Sequence, residues 1–226
     1  MKKINKLAAA TLISTFGLFS AGSAIAADYT AGPSGHWYVE GLVGGALPLK
    51  RDVTVNGAPG TYKPQGGFTG AATVGHTFGD NLRVELAGSW TRANKGTVVL
   101  AGTPFPHAGS IDVYTLMVNG LVSFDIGSVV RPFVGVGAGF AVFNMNNFGA
   151  SPGAFAFNDS DTVAAGALHA GLDVPLGDSG VTFTGRYSLV ATGQANFTAT
   201  DGINTSTKPS GVDHVFLAGV RVPLGR

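Results

Sequence analysis

The 226-residue chain contains no cysteine. That excludes disulfide staples and every thiolate metal site. Charge is scarce as well. Only 12% of the residues are Asp, Glu, Lys or Arg, about half the roughly 25% of an ordinary soluble domain. The 14 basic and 13 acidic residues nearly cancel, so no basic field exists for a nucleic-acid partner. Beyond the N-terminal region there is no unbroken run of the ~18 apolar residues that marks a membrane-spanning helix. Yet 45% of the residues are hydrophobic and the mean hydropathy is +0.27, which excludes a disordered chain.

What is present starts with an address. Lys2, Lys3 and Lys6 precede an apolar stretch from Leu7 to Phe19, and Ala24 and Ala26 form an A-x-A cleavage site. This is the three-part pattern of a secretory signal peptide. The apolar core is shorter than the ~20 residues a spanning helix needs. The expected domain plan is therefore a signal peptide at 1–26 and one exported domain at 27–226.

In that domain the apolar period is two, the mark of strands. Eight runs are read: His36–Leu47, Gly67–Phe78, Leu82–Thr91, Ile111–Asp125, Arg131–Phe143, Asp161–Pro175, Val181–Ala191 and Val212–Leu224. Each is long enough for a tilted membrane-spanning strand of about 9–11 residues. Three connections are tight and carry Gly, Asp, Asn or Ser: Gly79 to Asn81, Ile126 to Val130, and Leu176 to Gly180. The other four are long: Pro48–Gly66, Arg92–Ser110, Asn144–Ser160 and Thr192–Gly211. Strict alternation of short and long puts all the short turns at one end of an up-and-down meander. That is the layout of an outer-membrane barrel, with short periplasmic turns and long external loops. The expected fold is all-β, an eight-stranded antiparallel up-and-down transmembrane β-barrel.

Alternate residues face opposite sides of a strand. In the third run Leu82, Val84, Leu86 and Trp90 oppose Arg83, Glu85, Ser89 and Thr91. In the fourth, Met117 and Leu121 interrupt an otherwise polar face. A soluble barrel would put the apolar face inside, and its outer face would need many Lys and Glu. No lysine falls in any of the eight runs. The other face carries mostly Gly, Ser and Thr, which suit the cramped interior of an eight-stranded barrel. A lipid-facing apolar exterior follows. The interior would then hold Glu40, Glu85, Asp173 and Asp213 against Arg83, Arg131, Arg186 and Arg221. Charges away from water need partners, so an internal salt-bridge network that plugs the lumen is expected, with His169 joining it. A charged, water-filled path is the alternative. Aromatics near strand ends, among them Trp37, Phe78, Trp90, Tyr114, Phe124 and Phe143, suit interfacial girdles.

Three segments now resemble a family. His36-Trp37-Tyr38-Val39-Glu40-Gly41 is similar to its first strand, and Asn81-Leu82-Arg83-Val84-Glu85 to its third-strand entry. Arg131-Pro132-Phe133-Val134-Gly135-Val136-Gly137-Ala138-Gly139 resembles its fifth strand. The family is the small outer-membrane β-barrel domain of opacity-type and OmpA-like surface proteins. The resemblance implies a monomeric barrel in the outer membrane, with roles in envelope integrity, adhesion, immune exposure or, rarely, small-ligand binding. It implies no shared catalytic residues. Members usually end on an aromatic, whereas this chain ends Val220-Arg221-Val222-Pro223-Leu224-Gly225-Arg226. Three alternatives stay open for insertion: tolerance of the change, substitution by Phe216 and Leu224, or trimming of the chain.

Signals for chemistry are few. The five histidines, at 36, 76, 107, 169 and 214, show no H-E-x-x-H spacing, and there is no G-x-S-x-G. No catalytic residue, metal or cofactor is expected. The loops are where function would sit. Lys50 and Arg51 are candidates to meet lipopolysaccharide phosphates. Phe105, Phe148, Phe155 and Phe157 are candidates for a contact patch on a host surface or matrix partner. The expected role is structural or surface-interacting, adhesin- or antigen-like. A narrow porin-like channel is the first alternative, and a lipid A-modifying enzyme the second.

Overall fold

The computed structural model describes residues 35–49, 51–55, 58–93, 96–100, 103–150, 157–195 and 211–224. The proposed signal at 1–26 lies outside the described residues. Among them are eleven strands: β1 (Trp37–Pro48), β2 (Arg51–Val55), β3 (Ala58–Pro64), β4 (Gly67–Phe78), β5 (Leu82–Ala93), β6 (Gly96–Leu100), β7 (Thr103–Ser123), β8 (Arg131–Ala150), β9 (Phe157–Pro175), β10 (Thr182–Thr192) and β11 (Gly211–Leu224). Eight of them close on themselves in the order β1-β4-β5-β7-β8-β9-β10-β11, every pairing antiparallel. All eight coincide with the runs of period two, because alternation is the strongest mark a half-buried strand leaves in a sequence.

The first tight connection is a turn, the second a short irregular link, and the third holds a single 3-10 turn at Gly177–Ser179. Gly79 has φ of 64° in the first, and Gly177 and Gly180 have φ of 66° and 76° in the third. Glycine takes this left-handed conformation without the steric penalty of a Cβ.

The first two long connections are not loops, which corrects the sequence expectation. Arg51–Val55 pairs with Ala58–Pro64, that strand with Gly96–Leu100, and β6 with the outer part of β7. A four-stranded sheet thus rises from one side of the barrel wall. β7, β8 and β9, of 21, 20 and 19 residues, also run past the span of a membrane strand. Pro104 and Pro106 hid this part of β7, since proline argues against an interior strand.

The two faces sort as alternation requires. Val39, Val43, Val74, Leu86, Val118, Val136, Phe140, Leu168, Leu172, Phe183, Phe216 and Val220 all lie exposed on the outer face. At the long-loop end this band meets a polar row, in which Arg92 pairs in register with Asp112, Asp112 with Asn144, and Asn144 with Ser160. Inside, the wall is built for bulky rings. Tyr38 sits opposite Gly75, and Phe133 opposite Gly171. A Cβ on Gly75 would fall within the Tyr38 ring, and one on Gly171 within the Phe133 ring. Gly75→Val is therefore expected to destabilise the barrel by about 1–3 kcal/mol through overpacking. An unchanged urea midpoint would show that Tyr38 has room to move.

The lumen is less polar than its strand pattern suggests. Met117, Ala141, Phe143, Met145, Val163, Ala165 and Ala167 form a buried apolar cluster towards the long-loop end. Phe143 is therefore an interior residue and not part of a lipid-facing girdle. Met117 and Leu121, which broke the alternation in sequence, are buried inside.

Candidate functional site

Six of the eight interior charges expected from sequence meet in two clusters at mid-lumen. In the first, Arg186 on β10 donates from Nη2 to Glu40 Oε2 at 2.7 Å and from Nη1 to Glu85 Oε2 at 2.9 Å. A second bond from Nη2 reaches Glu85 Oε1 at 3.1 Å, and the Tyr38 hydroxyl donates to the same oxygen at 2.7 Å. β5 and β10 stand opposite each other in the closed strand order. The Arg186–Glu85 pair therefore spans the full width of the lumen. The fork of the guanidinium suits this task, because it meets a carboxylate with two parallel hydrogen bonds.

In the second cluster Asp173 on β9 accepts from Arg83 Nη1 at 2.7 Å and Arg221 Nη2 at 3.0 Å, both on Oδ2. Its Oδ1 accepts from the Thr184 hydroxyl at 2.9 Å. Phe133 joins the clusters, with the Arg83 and Arg186 guanidinium carbons 4.8 and 5.7 Å from its ring centroid. A ring face attracts a cation electrostatically. Beside them lies a polar trio. His169 Nδ1 is 2.8 Å from Ser188 Oγ, and His169 Nε2 is 3.2 Å from Asn119 Oδ1.

Arg131 and Asp213 stand apart from both clusters. Arg131 is exposed at the short-turn mouth, where it lines a cavity of about 480 Å³. Asp213 is half-buried and lines a cavity of about 90 Å³ on the long-loop side. Asp213 sits near the start of β11, away from the depth of the others, whereas Arg131 is in register with Asp173 on β9 but exposed at the mouth. Tyr38, Thr184 and Phe133 take part in the clusters without having been singled out from sequence. Tyr and Phe look apolar in a strand pattern, and only the cross-barrel geometry shows their partners.

The loop candidates divide. Arg51 begins β2, Phe105 lies on the outer part of β7, and Phe148 on β8 pairs in register with Phe157 on β9. Lys50 and Phe155 lie outside the described residues. Among the described residues no group of three His, Asp or Glu side chains is placed to hold a metal.

Comparison with known proteins agrees with this architecture. Residues 14–220 match the outer membrane protein beta-barrel domain family. An outer membrane protein of Gluconacetobacter diazotrophicus is 29% identical over 188 residues, covering 71% of this chain and 47% of that protein. A Rickettsia conorii protein named as a candidate adhesin is 27% identical over 158 residues, covering 62% of this chain and 64% of its own length. The chain thus spans about half to just under two thirds of these relatives. Among solved structures, OprG of Pseudomonas aeruginosa superposes with a TM-score of 0.60 at 14% identity, over 86% of this chain and 98% of that one. Neisserial surface protein A does so with 0.53 at 17% identity, over 84% and 98%. At such identities the likeness concerns the fold. With its eight-stranded wall, lipid-facing apolar band and family match, the chain belongs to the outer membrane protein β-barrel domain family and resides in the outer membrane.

Proposed function

We propose that the protein is a monomeric surface-interaction barrel, exported by residues 1–26 and plugged by its lumen charges. The observation that carries this reading is the sheet β2-β3-β6-β7, which continues the wall past the polar row at Arg92 and Asp112. A barrel that serves only to cross the membrane has no need of it. A paired sheet holds contact residues in fixed positions, which lowers the ordering cost of binding. The candidate-adhesin name of the Rickettsia relative points the same way. The partner class is a host surface or matrix protein, with lipopolysaccharide phosphates near Lys50 and Arg51. The test replaces Arg51–Pro64 by a short Gly-Asn turn in the full chain, displayed on a Gram-negative cell. Adhesion to matrix-coated surfaces should fall while the heat-dependent gel shift of the folded barrel persists. Undiminished adhesion with the shift intact would overturn the reading.

A narrow channel is the second reading, favoured by the cavities on either side of the charge clusters. The plug leads us to expect no steady single-channel steps from the refolded protein in planar bilayers. Regular steps that change on replacing Arg83 or Glu85 would favour transport. No catalytic role is proposed, and lipid A should give identical mass spectra with and without the protein.

A further inference from the structure

The cavity at the short-turn mouth borders the second charge cluster and adds Arg131 and Asp80, which neither cluster uses. It measures about 480 Å³ and is lined by Arg83, Arg131, Arg221, Asp80, Asp173 and His36, among others. That volume lies in the range of small-molecule sites. Three guanidinium groups face two carboxylates, so one positive charge is in excess at neutral pH.

Their hydrogen bonding is also incomplete. Arg83 and Arg221 share a single oxygen, Asp173 Oδ2, while Asp173 Oδ1 is taken by Thr184. Nε and Nη2 of Arg83 and Nη1 of Arg221 are buried without an acceptor among the described residues. Arg83 itself is 4% exposed. The Phe133 ring under Arg83 and the Tyr38 ring under Arg221 meet ring-to-face, so they leave the in-plane N–H groups unpaired. A buried donor left unmade is costly, and more so when charged. Arg186 in the first cluster, by comparison, bonds two carboxylates, Glu40 and Glu85, and leaves only its Nε without an acceptor among the described residues.

We infer that this vestibule is a binding site for a small oxyanion, a carboxylate or phosphate solute entering from the periplasm. Arg131 and Arg221 form its accessible rim. Arg83 forms its floor and turns an edge to the ligand after a small shift of its side chain. A carboxylate or phosphate group presents two oxygens to such a fork, which a chloride ion does not. The site lies on the opposite side of the plug from the external sheet, so it does not depend on the surface-interaction reading.

The experiment uses the full-length barrel refolded in detergent micelles, with arginine side-chain Nε–Hε signals followed by NMR. Sodium phosphate and sodium citrate are titrated in turn at constant ionic strength, with sodium chloride as the balance. The expected result is a saturable shift of the Arg83 and Arg221 signals with at least one of the two anions. Response to phosphate alone, citrate alone or both identifies the class of oxyanion. In Arg131→Gln the affinity should fall about tenfold or more, as expected for loss of a charge-assisted contact. This residue is exposed at the mouth, so the variant should keep the heat-dependent gel shift. Linear, unsaturated shifts with both anions would overturn the inference. Equal affinity in the wild type, Arg131→Gln and Arg221→Gln would do so as well.

Discussion

Arg186→Met is expected to cost the folded barrel about 3–5 kcal/mol, the usual result of removing one partner from a buried ion pair. Glu40 and Glu85 both lean on this one guanidinium, and neither side chain in its carboxylate pair is accessible to solvent. Without Arg186 the two carboxylates, both bonded to its Nη2, lose the cation between them. Tyr38 keeps its bond to Glu85, but one neutral hydroxyl cannot replace a cation between two anions. Arg83 and Arg221 are engaged with Asp173 in the second cluster. The measurement is reversible urea unfolding in lipid vesicles, read by the heat-dependent gel shift. A loss below about 1 kcal/mol would mean that water reaches the clusters and screens them.

The companion variant separates cost from benefit. Glu40→Gln and Glu85→Gln added to Arg186→Met remove the stranded charges and keep the lumen filled. Replacing a whole buried ionic group by well-packed hydrophobic residues is often neutral or stabilising, and Gln keeps the carboxylate's volume without its charge. The triple variant should therefore recover most of the lost stability. If it does, the cluster does not hold the barrel together. That result would leave the lumen-closing role that the surface-interaction reading proposes for it. A triple variant as unstable as the single one would instead make the hydrogen-bond geometry itself the source of stability.

Much of this arrangement is written locally in the chain. Period two and glycine-rich turns mark all eight wall strands, because each strand has one lipid-facing side and one crowded side. Arg83, Glu85, Asp173 and Arg186 can be assigned to the interior from parity alone. Their partners cannot, because contact across a barrel depends on strand tilt and stagger. Residues far apart in sequence, such as Glu40 and Arg186, meet only after closure. Parity also says nothing of depth or of exposure at a mouth, which is why Asp213 and Arg131 read like the other six. The external sheet was obscured for another reason. β2 and β6 have five residues each, and β3 and the outer part of β7 contain prolines. The Asn56-Gly57 pair between β2 and β3 is a strong hairpin signal, and the two strands on either side of it pair.

Val136→Arg is expected to destabilise the barrel by about 2–4 kcal/mol, the cost of a cation at the bilayer midplane on the lipid face. Val136 points outward from the middle of the stretch of β8 between Arg131 and the polar row at Asn144, flanked in register by Gly120 and Leu168, and it is 61% exposed. Val129 supplies the control. It lies in the tight connection between β7 and β8 and is 69% exposed. A soluble barrel would offer both valines to water, and arginine would be tolerated equally at each. In a membrane barrel the two must differ. At Val129 the guanidinium sits in the aqueous or headgroup region, where the cost falls to about 0–1 kcal/mol. At Val136 it must snorkel along the wall or thin the bilayer around it. Unfolding both variants in vesicles compares two side chains of matched accessibility, so burial within the protein drops out of the difference. What remains is the solvent that each one meets. A gap of more than about 1.5 kcal/mol between them places lipid against β8. Equal midpoints would put water there, and the inside-out sorting of the two strand faces would fall with it.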